Sequence, residues 1–251
     1  MSAVIELKTA SQIEKMKIAG RLTRQALELA GSLIAPGITT GEIDKAVHDF
    51  IIKNGGTPSF LGYAGYPASV CLSVNEEVIH GIPGKRILRE GDIVSVDVGA
   101  VVDGWHGDNA ATFPVGQILP EHQKLLDVTK QCLDTAVAMA APGVRLGDIG
   151  HAIQSLAESH GYGVVREFIG HGIGSELHQG PDVPNYGKPG RGIRLEKGMT
   201  IAIEPMINLK GHEVRMLSDG WTVVTRSGSV SAHFENTIAV TENGAEILTK
   251  I

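Results

Sequence analysis

One stretch of the chain occurs twice: residues 23–55, TRQALELAGSLIAPGITTGEIDKAVHDFIIKNG, and residues 129–161, TKQCLDTAVAMAAPGVRLGDIGHAIQSLAESHG. The copies align without a gap at a constant offset of 106. Thr23, Gln25, Leu27, Ala30, Ala35-Pro36-Gly37, Gly41, Ile43, Ala46 and Gly55 are each identical to their partner. Each copy reads as helix, Ala-Pro-Gly turn, helix. In the first, Leu22, Ala26, Leu29 and Leu33 recur at helical spacing. Pro36 cannot continue that helix, and Gly37 tolerates the positive φ that a helix end requires. Thr40 is expected to precede and cap the second helix, whose apolar face is Ile43, Val47, Phe50 and Ile51.

The repeat extends into strand-like segments. Residues 88–97 match 195–204, each with a turn glycine (Gly91, Gly198), an apolar run and a closing acid (Asp97, Glu204). His106-Gly107-Asp108-Asn109 matches His233-Phe234-Glu235-Asn236, and His80-Gly81-Ile82 matches His171-Gly172-Ile173. The expected fold is α+β: one catalytic domain over 1–251, with two halves, about 11–116 and 120–244, related by a pseudo-twofold axis with strands side by side. A site built from both copies belongs at their junction.

Composition narrows the function. The 251 residues carry 22 basic and 28 acidic side chains, a net charge of −6, which argues against direct nucleic-acid binding or an anionic membrane surface. Two cysteines, Cys71 and Cys132, are too few for a disulfide framework and suit a reducing compartment. The first twenty residues lack the apolar core of a secretion signal, and no stretch approaches ~18 apolar residues, so a cytoplasmic location is expected. The 32 glycines follow no period of three, and 42% of the chain is hydrophobic, which excludes a collagen-like or disordered chain.

The acids carry the chemistry. Asp97 and Glu204 interrupt β-branched, apolar runs, where a carboxylate is costly unless paired or metal-bound. Asp108 and Glu235 follow in segments that also read as strands, so four acids on four matched strands are expected to converge. Four carboxylates balance two divalent cations, and a two-metal site ~3.5–4 Å across clamps and ionises a bridging water. Oxygen-rich ligation favours Mn²⁺, Fe²⁺ or Co²⁺, with Zn²⁺ also admitted. His171, between Gly170 and Gly172, is the expected nitrogen ligand.

This ordered set, Asp97, Asp108, His171, Glu204 and Glu235, resembles the dinuclear-metal pita-bread (creatinase/aminopeptidase-like) peptidases, and among them the type I methionine aminopeptidases. The strings that carry the likeness are residues 75–83 (NEEVIHGIP), Val96-Asp97-Val98-Gly99, Gly107-Asp108, residues 170–174 (GHGIG), Glu204-Pro205 and Asp219-Gly220-Trp221-Thr222. They extend over nearly the whole chain.

The resemblance implies a central antiparallel sheet covered by helices. It implies a metal-dependent hydrolase that removes the initiator methionine from nascent proteins when the next residue is small. It makes the five named residues the ligands of two divalent cations. It gives His80 and His178 substrate contacts and catalytic roles, and Glu204 a further role in proton transfer. It places Tyr63, Tyr66, Cys71 and Trp221 around the methionine side chain. Phe60 and Leu177 fall where other members often carry Cys and Phe. Asn75, Glu77 and Ser231 match positions that hold a monovalent cation in some members. A monomer that works beside the ribosome follows by the same likeness. Two alternatives remain at this level: a proline-directed aminopeptidase, and a non-catalytic peptide- or RNA-binding member of the fold.

Overall fold

In a computed structural model that describes residues 5–250, the repeat is visible element by element. The first half comprises α1 (Ala10–Leu33), α2 (Thr40–Lys53), β1 (Thr57–Pro58), β2 (Val70–Val74), β3 (Glu77–Ile79), β4 (Ile93–Val102) and β5 (Trp105–Pro114). The second comprises α3 (Pro120–Met139), α4 (Leu146–Ser159), β6 (Gly163–Val164), β7 (Gly170–Gly172), β8 (Gln179–Val183), β9 (Thr200–Ile203), β10 (Met206–Asn208), β11 (Val214–Met216), β12 (Val223–Thr225), β13 (Ser231–His233), β14 (Asn236–Thr241) and β15 (Gly244–Ile247). α2 and α4 obey the 106-residue offset at both ends.

Hydrogen bonds repeat as well. Gly37 N–H donates to Leu88 O at 2.8 Å, and Gly143 N–H to Leu195 O at 2.8 Å. Thr40 N–H donates to Arg86 O and Leu146 N–H to Ile193 O, both at 2.9 Å. Gly37 and Gly143 take φ of 99° and 91°, where only glycine is unstrained. The cap of α2 differs from expectation: it is Thr39, not Thr40. Thr39 Oγ1 accepts the Glu42 N–H at 3.3 Å, and the Glu42 carboxylate accepts the Thr39 N–H at 2.8 Å. This reciprocal box satisfies two otherwise orphaned donors, which Thr40 could not do without a carboxylate three residues on.

Each half buries its own apolar core. Ala26, Leu27, Ile43, Val47 and Ile51 pack on Leu72, Val94, Val96 and Val98 in the first. Leu125, Leu133, Ile149 and Ile153 pack on Ile201, Ile203 and Ile238 in the second. Each such side chain stabilises the fold by about 1.5–3 kcal/mol. A third cluster, including Met16, Phe60, Tyr66, Trp105, Ile173, Leu177 and Leu248, draws on both halves.

The central sheet is two antiparallel half-sheets. One orders β1-β4-β2, with β5 on β4; the other orders β15-β14-β9-β7-β8. Their seam runs along β5 and the β13–β14 segment, and most of its bonds use side chains. Thr112 Oγ1 accepts the His233 N–H at 2.8 Å and donates to His233 O at 2.9 Å. Glu235 N–H donates to Ala110 O at 2.9 Å. Over the seam α1 crosses β5 at two glycines: a Cβ on Gly107 would lie 2.8 Å from Gly20 Cα. Nothing larger fits there, and the next residue is Asp108.

Candidate functional site

The seam opens into one cavity of about 140 Å³, lined from both halves by Phe60, Tyr63, Tyr66, Cys71, His80, Asp97, Asp108, His171, Leu177, His178, Glu204, Trp221 and Glu235. The five residues expected to hold divalent cations, both expected substrate histidines and every expected pocket residue border this space, whereas Asn75, Glu77 and Ser231, expected to hold a monovalent cation, do not.

The acids reach it differently in the two halves. Asp97 and Asp108 sit within β4 and β5, and the Gly99–Asp108 register brings the strands together at the cavity. Glu204 follows the last residue of β9, and Glu235 lies between β13 and β14. The expectation of four acids on four strands is corrected here. Pro205 has no N–H to continue a ladder, so the second half presents its acids at strand breaks.

The electrostatics of this cluster are demanding. No Lys or Arg pairs with any of the four carboxylates among the described residues; the basic side chains nearest them are the imidazoles of His171 and His233. Burial pushes Asp97 up to about 7. Burial also holds Asp108 well above the usual carboxylate range, with Glu235 and Asp97 adding to it. Glu204 and Glu235 are raised likewise, by burial first and by neighbouring carboxylates second. Asp97 Oδ1, Asp108 Oδ1 and Glu235 Oε1 are buried without a hydrogen-bond partner.

His171 faces this group. Its Nδ1–H donates to Gly172 O at 2.9 Å, which leaves the Nε2 lone pair facing the acids. Nε2 lies 3.5 Å from Glu204 Oε1 and 3.8 Å from Asp108 Oδ2. Burial, followed by the nearby His178, lowers its pKa to about 3, so the ring is neutral. A lone pair facing carboxylate oxygens is repulsive unless a proton or a cation lies between them. Ligand atoms of Asp108, His171 and Glu235 all lie within 4.8 Å of one another. Orphaned oxygens, mutual repulsion and the free imidazole nitrogen all fit divalent cations held at this spot.

Two further histidines border the acids. His178 stands 4.1 Å from His171, centroid to centroid, and its Nδ1 is 2.8 Å from the Tyr63 hydroxyl. His80 takes a left-handed φ of 59°, a conformation costing about 1–3 kcal/mol for a non-glycine residue. Its ring meets Phe168 at 5.8 Å and Trp221 at 6.2 Å, both edge-on. Burial lowers His80 to about 4, so it too is neutral at pH 7.

The apolar wall is Phe60, Tyr66, Cys71, Leu177 and Trp221. Tyr66 packs edge-on against Trp221 at 5.1 Å and donates its hydroxyl to Gly81 O at 2.9 Å. Cys71 is buried beside Asp97, and burial pushes its thiol pKa up, away from the thiolate form that a nucleophile needs.

Some neighbours escaped the sequence reading. His233 is 1% exposed, its Nε2 is 3.7 Å from Glu204 Oε2, and neither ring nitrogen has a hydrogen-bond partner. It repeats His106, and that match was its only sequence signal. Asn185 Nδ2 donates to Glu204 O at 3.0 Å, from a segment outside the repeat.

Comparison with known proteins adds an independent line. Residues 14–242 match metallopeptidase family M24. A methionine aminopeptidase from Clostridium acetobutylicum is 51% identical over 247 residues, covering 98% of this chain and 99% of the relative. Methionine aminopeptidase 1 of Bacillus subtilis is 49% identical, over 99% of this chain and 100% of the relative. The crystal structure of methionine aminopeptidase from Thermotoga maritima superposes with a TM-score of 0.97 at 50% identity, covering 99% of this chain and 100% of that one.

Proposed function

The chain belongs to metallopeptidase family M24, and on that premise we propose how its pocket removes an N-terminal methionine. It is a metal-dependent aminopeptidase acting on peptides that begin with Met. The observation that supports the division of roles is the convergence of four buried carboxylates, three neutral histidines and an apolar wall on one cavity.

Asp97, Asp108, His171, Glu204 and Glu235 would hold two divalent cations, from among Co, Mn, Fe and Zn. When bound, these supply Lewis acidity and a water that ionises near neutral pH. The methionine side chain would lie against Phe60, Tyr66, Cys71, Leu177 and Trp221, where aromatic and sulfur surfaces suit a flexible thioether. Tyr63 holds His178 Nδ1, so His178 Nε2 is free to donate to the oxyanion that develops on the scissile carbonyl. His80, fixed by its backbone and by two aromatic edges, would hydrogen-bond at the scissile amide nitrogen. Glu204 would accept the proton of the attacking water and return it to the leaving amine, a transfer open to a carboxylate at the edge of the cavity beside the cations. A small residue after methionine belongs to the same proposal.

The finer assignments are part of the same proposal: nascent chains as substrate, met in the cytoplasm at the ribosome by a monomer. No helix among the described residues is long and apolar enough to cross a membrane. A monovalent cation near Asn75, Glu77 and Ser231 is supported by the meeting of these segments, where Ser231 N–H donates to Asn75 O at 2.9 Å.

Hydrolysis of Met-Ala-Ser and of an Ala-Pro tripeptide, with and without Mn²⁺ or Co²⁺, tests the reading. Metal-dependent release of Met from the first peptide only is expected. Absence of that release overturns it, and preferential cleavage of the second points to a proline-directed enzyme.

A further inference from the structure

Lys8 lies in the extended segment before α1, yet its side chain is only 2% exposed. Burying an ammonium is costly unless its N–H groups are satisfied. Nζ donates to Gln179 Oε1 at 2.7 Å and to Glu6 O at 3.3 Å, with Glu6 Oε2 also at 3.3 Å. The shortest of these contacts spans 171 residues of sequence and ends next to His178. The lysine backbone is pinned too, its N–H donating to Gly198 O at 2.7 Å.

Its stem passes over the other end of the same turn. A Cβ on Gly174 would lie 2.6 Å from Lys8 Cε and 2.8 Å from Gln179 Oε1, so a side chain there would have to displace the Lys8–Gln179 pair. Gln179 opens β8 and pairs with Gly172 at the base of the turn. Its Nε2 points back across the turn toward Ser175 Oγ at 3.4 Å. One lysine from the start of the chain thus holds both ends of the 173–178 turn that carries Leu177 and His178.

We propose that Lys8 is a positioning residue for the aminopeptidase reaction: its ammonium fixes the Gln179 side chain, and through it the turn that presents His178 and Leu177 to the substrate. The proposal rests on the reading of His178 as a substrate contact. It gives the segment before α1 a share in catalysis although it does not border the cavity.

The test is a double-mutant cycle on the full Mn²⁺-loaded chain with Met-Ala-Ser. Lys8→Met keeps the stem and removes the ammonium; Gln179→Met removes the acceptor. Each is expected to lower kcat about tenfold, as a displaced catalytic group does. The double variant should lose no more than the worse single one, because both act through one contact. Mn²⁺ affinity by calorimetry should be unchanged, and the imidazole ¹⁵N shifts of His178, read in the metal-free protein because Mn²⁺ broadens nearby resonances, should move in both single variants. An unaltered kcat in either single variant overturns the proposal, and so does a double variant whose loss equals the product of the two. If Lys8→Met fails to fold, Gln179→Met alone decides by the same criterion. His178→Ala, measured alongside, separates the two claims. Full activity in it sinks the role of His178; loss in it with none in Lys8→Met or Gln179→Met sinks only that of Lys8.

Discussion

Asp108 and Thr237 exchange two hydrogen bonds across the junction of the halves: Asp108 N–H donates to Thr237 Oγ1 at 3.0 Å, and the Thr237 hydroxyl donates to Asp108 O at 2.8 Å. A hydroxyl in the second half thereby locks the backbone of a carboxylate in the first. Thr237→Val keeps the shape and leaves a buried N–H and C=O unpaired, which should destabilise the fold by about 1–3 kcal/mol. Urea unfolding measures this, and Thr237→Ser should recover most of the loss. An unchanged midpoint in the valine variant would show that the seam needs no such lock.

Asp108→Asn should fold normally, because it removes one of four mutually repelling carboxylates. Its affinity for Mn²⁺ should fall more than about 100-fold, beyond the loss typical when a residue that merely supports a ligand is changed. Calorimetry and circular dichroism report the two effects separately. Retained affinity refutes the ligand role.

His178→Ala should lower kcat by about 10²–10³, the range typical of losing one oxyanion donor, while metal affinity stays near that of the parent. Steady-state kinetics with Met-Ala-Ser gives the first and calorimetry the second. A change confined to KM would reassign His178 to ground-state binding.

Burial holds His80 at about 4, below the usual ~6.5 for histidine. The unfolded chain therefore takes up this proton at a higher pH than the folded one. Stability from this group is complete above about pH 6.5 and is lost as pH falls toward 4. The imidazole should remain neutral at about pH 5.5 by NMR titration. A resonance titrating near 6.5 contradicts the burial argument.

Metal removal should reverse that slope. Without cations the four carboxylates have raised folded-state pKa values, Asp97 up to about 7. Their neutral forms stabilise the fold below the unfolded carboxylate range, and that stability is lost as pH rises through the folded values. The Tm of EDTA-treated protein should fall from about pH 5 to about pH 8, and saturating Mn²⁺ should raise the Tm and flatten the slope. A flat profile without metal would mean that the acids are not coupled through burial.

Much of this arrangement is legible before any coordinates. The Ala-Pro-Gly hairpins announce themselves because helix periodicity and turn chemistry act over a few residues. Asp97 alone could be an ordinary strand-end acid; it stands out because Asp108, Glu204 and Glu235 recur with it at matched positions of the two copies. Thr39 and Thr40 are indistinguishable as caps in the sequence, since both are threonines at the start of the helix, and only the reach of Glu42 decides for Thr39. His233 carried a signal, its match to His106, but nothing local distinguishes a histidine near Glu204 from one such as His106, which bonds Ser59 at 2.9 Å.

The sequence by itself determined the duplication, the order of five metal-ligand candidates, the apolar wall types and the class of chemistry, since each depends on residue identity and short-range spacing. Tertiary structure alone decided that the seam is stitched by Thr112, Thr237 and Asn109, whose side-chain amide donates to Glu235 O, and that Lys8 reaches Gln179. Those outcomes turn on which buried polar atoms find partners across 100 residues or more. Hydrogen-bond satisfaction and desolvation are properties of the packed chain, and no local window of sequence contains them.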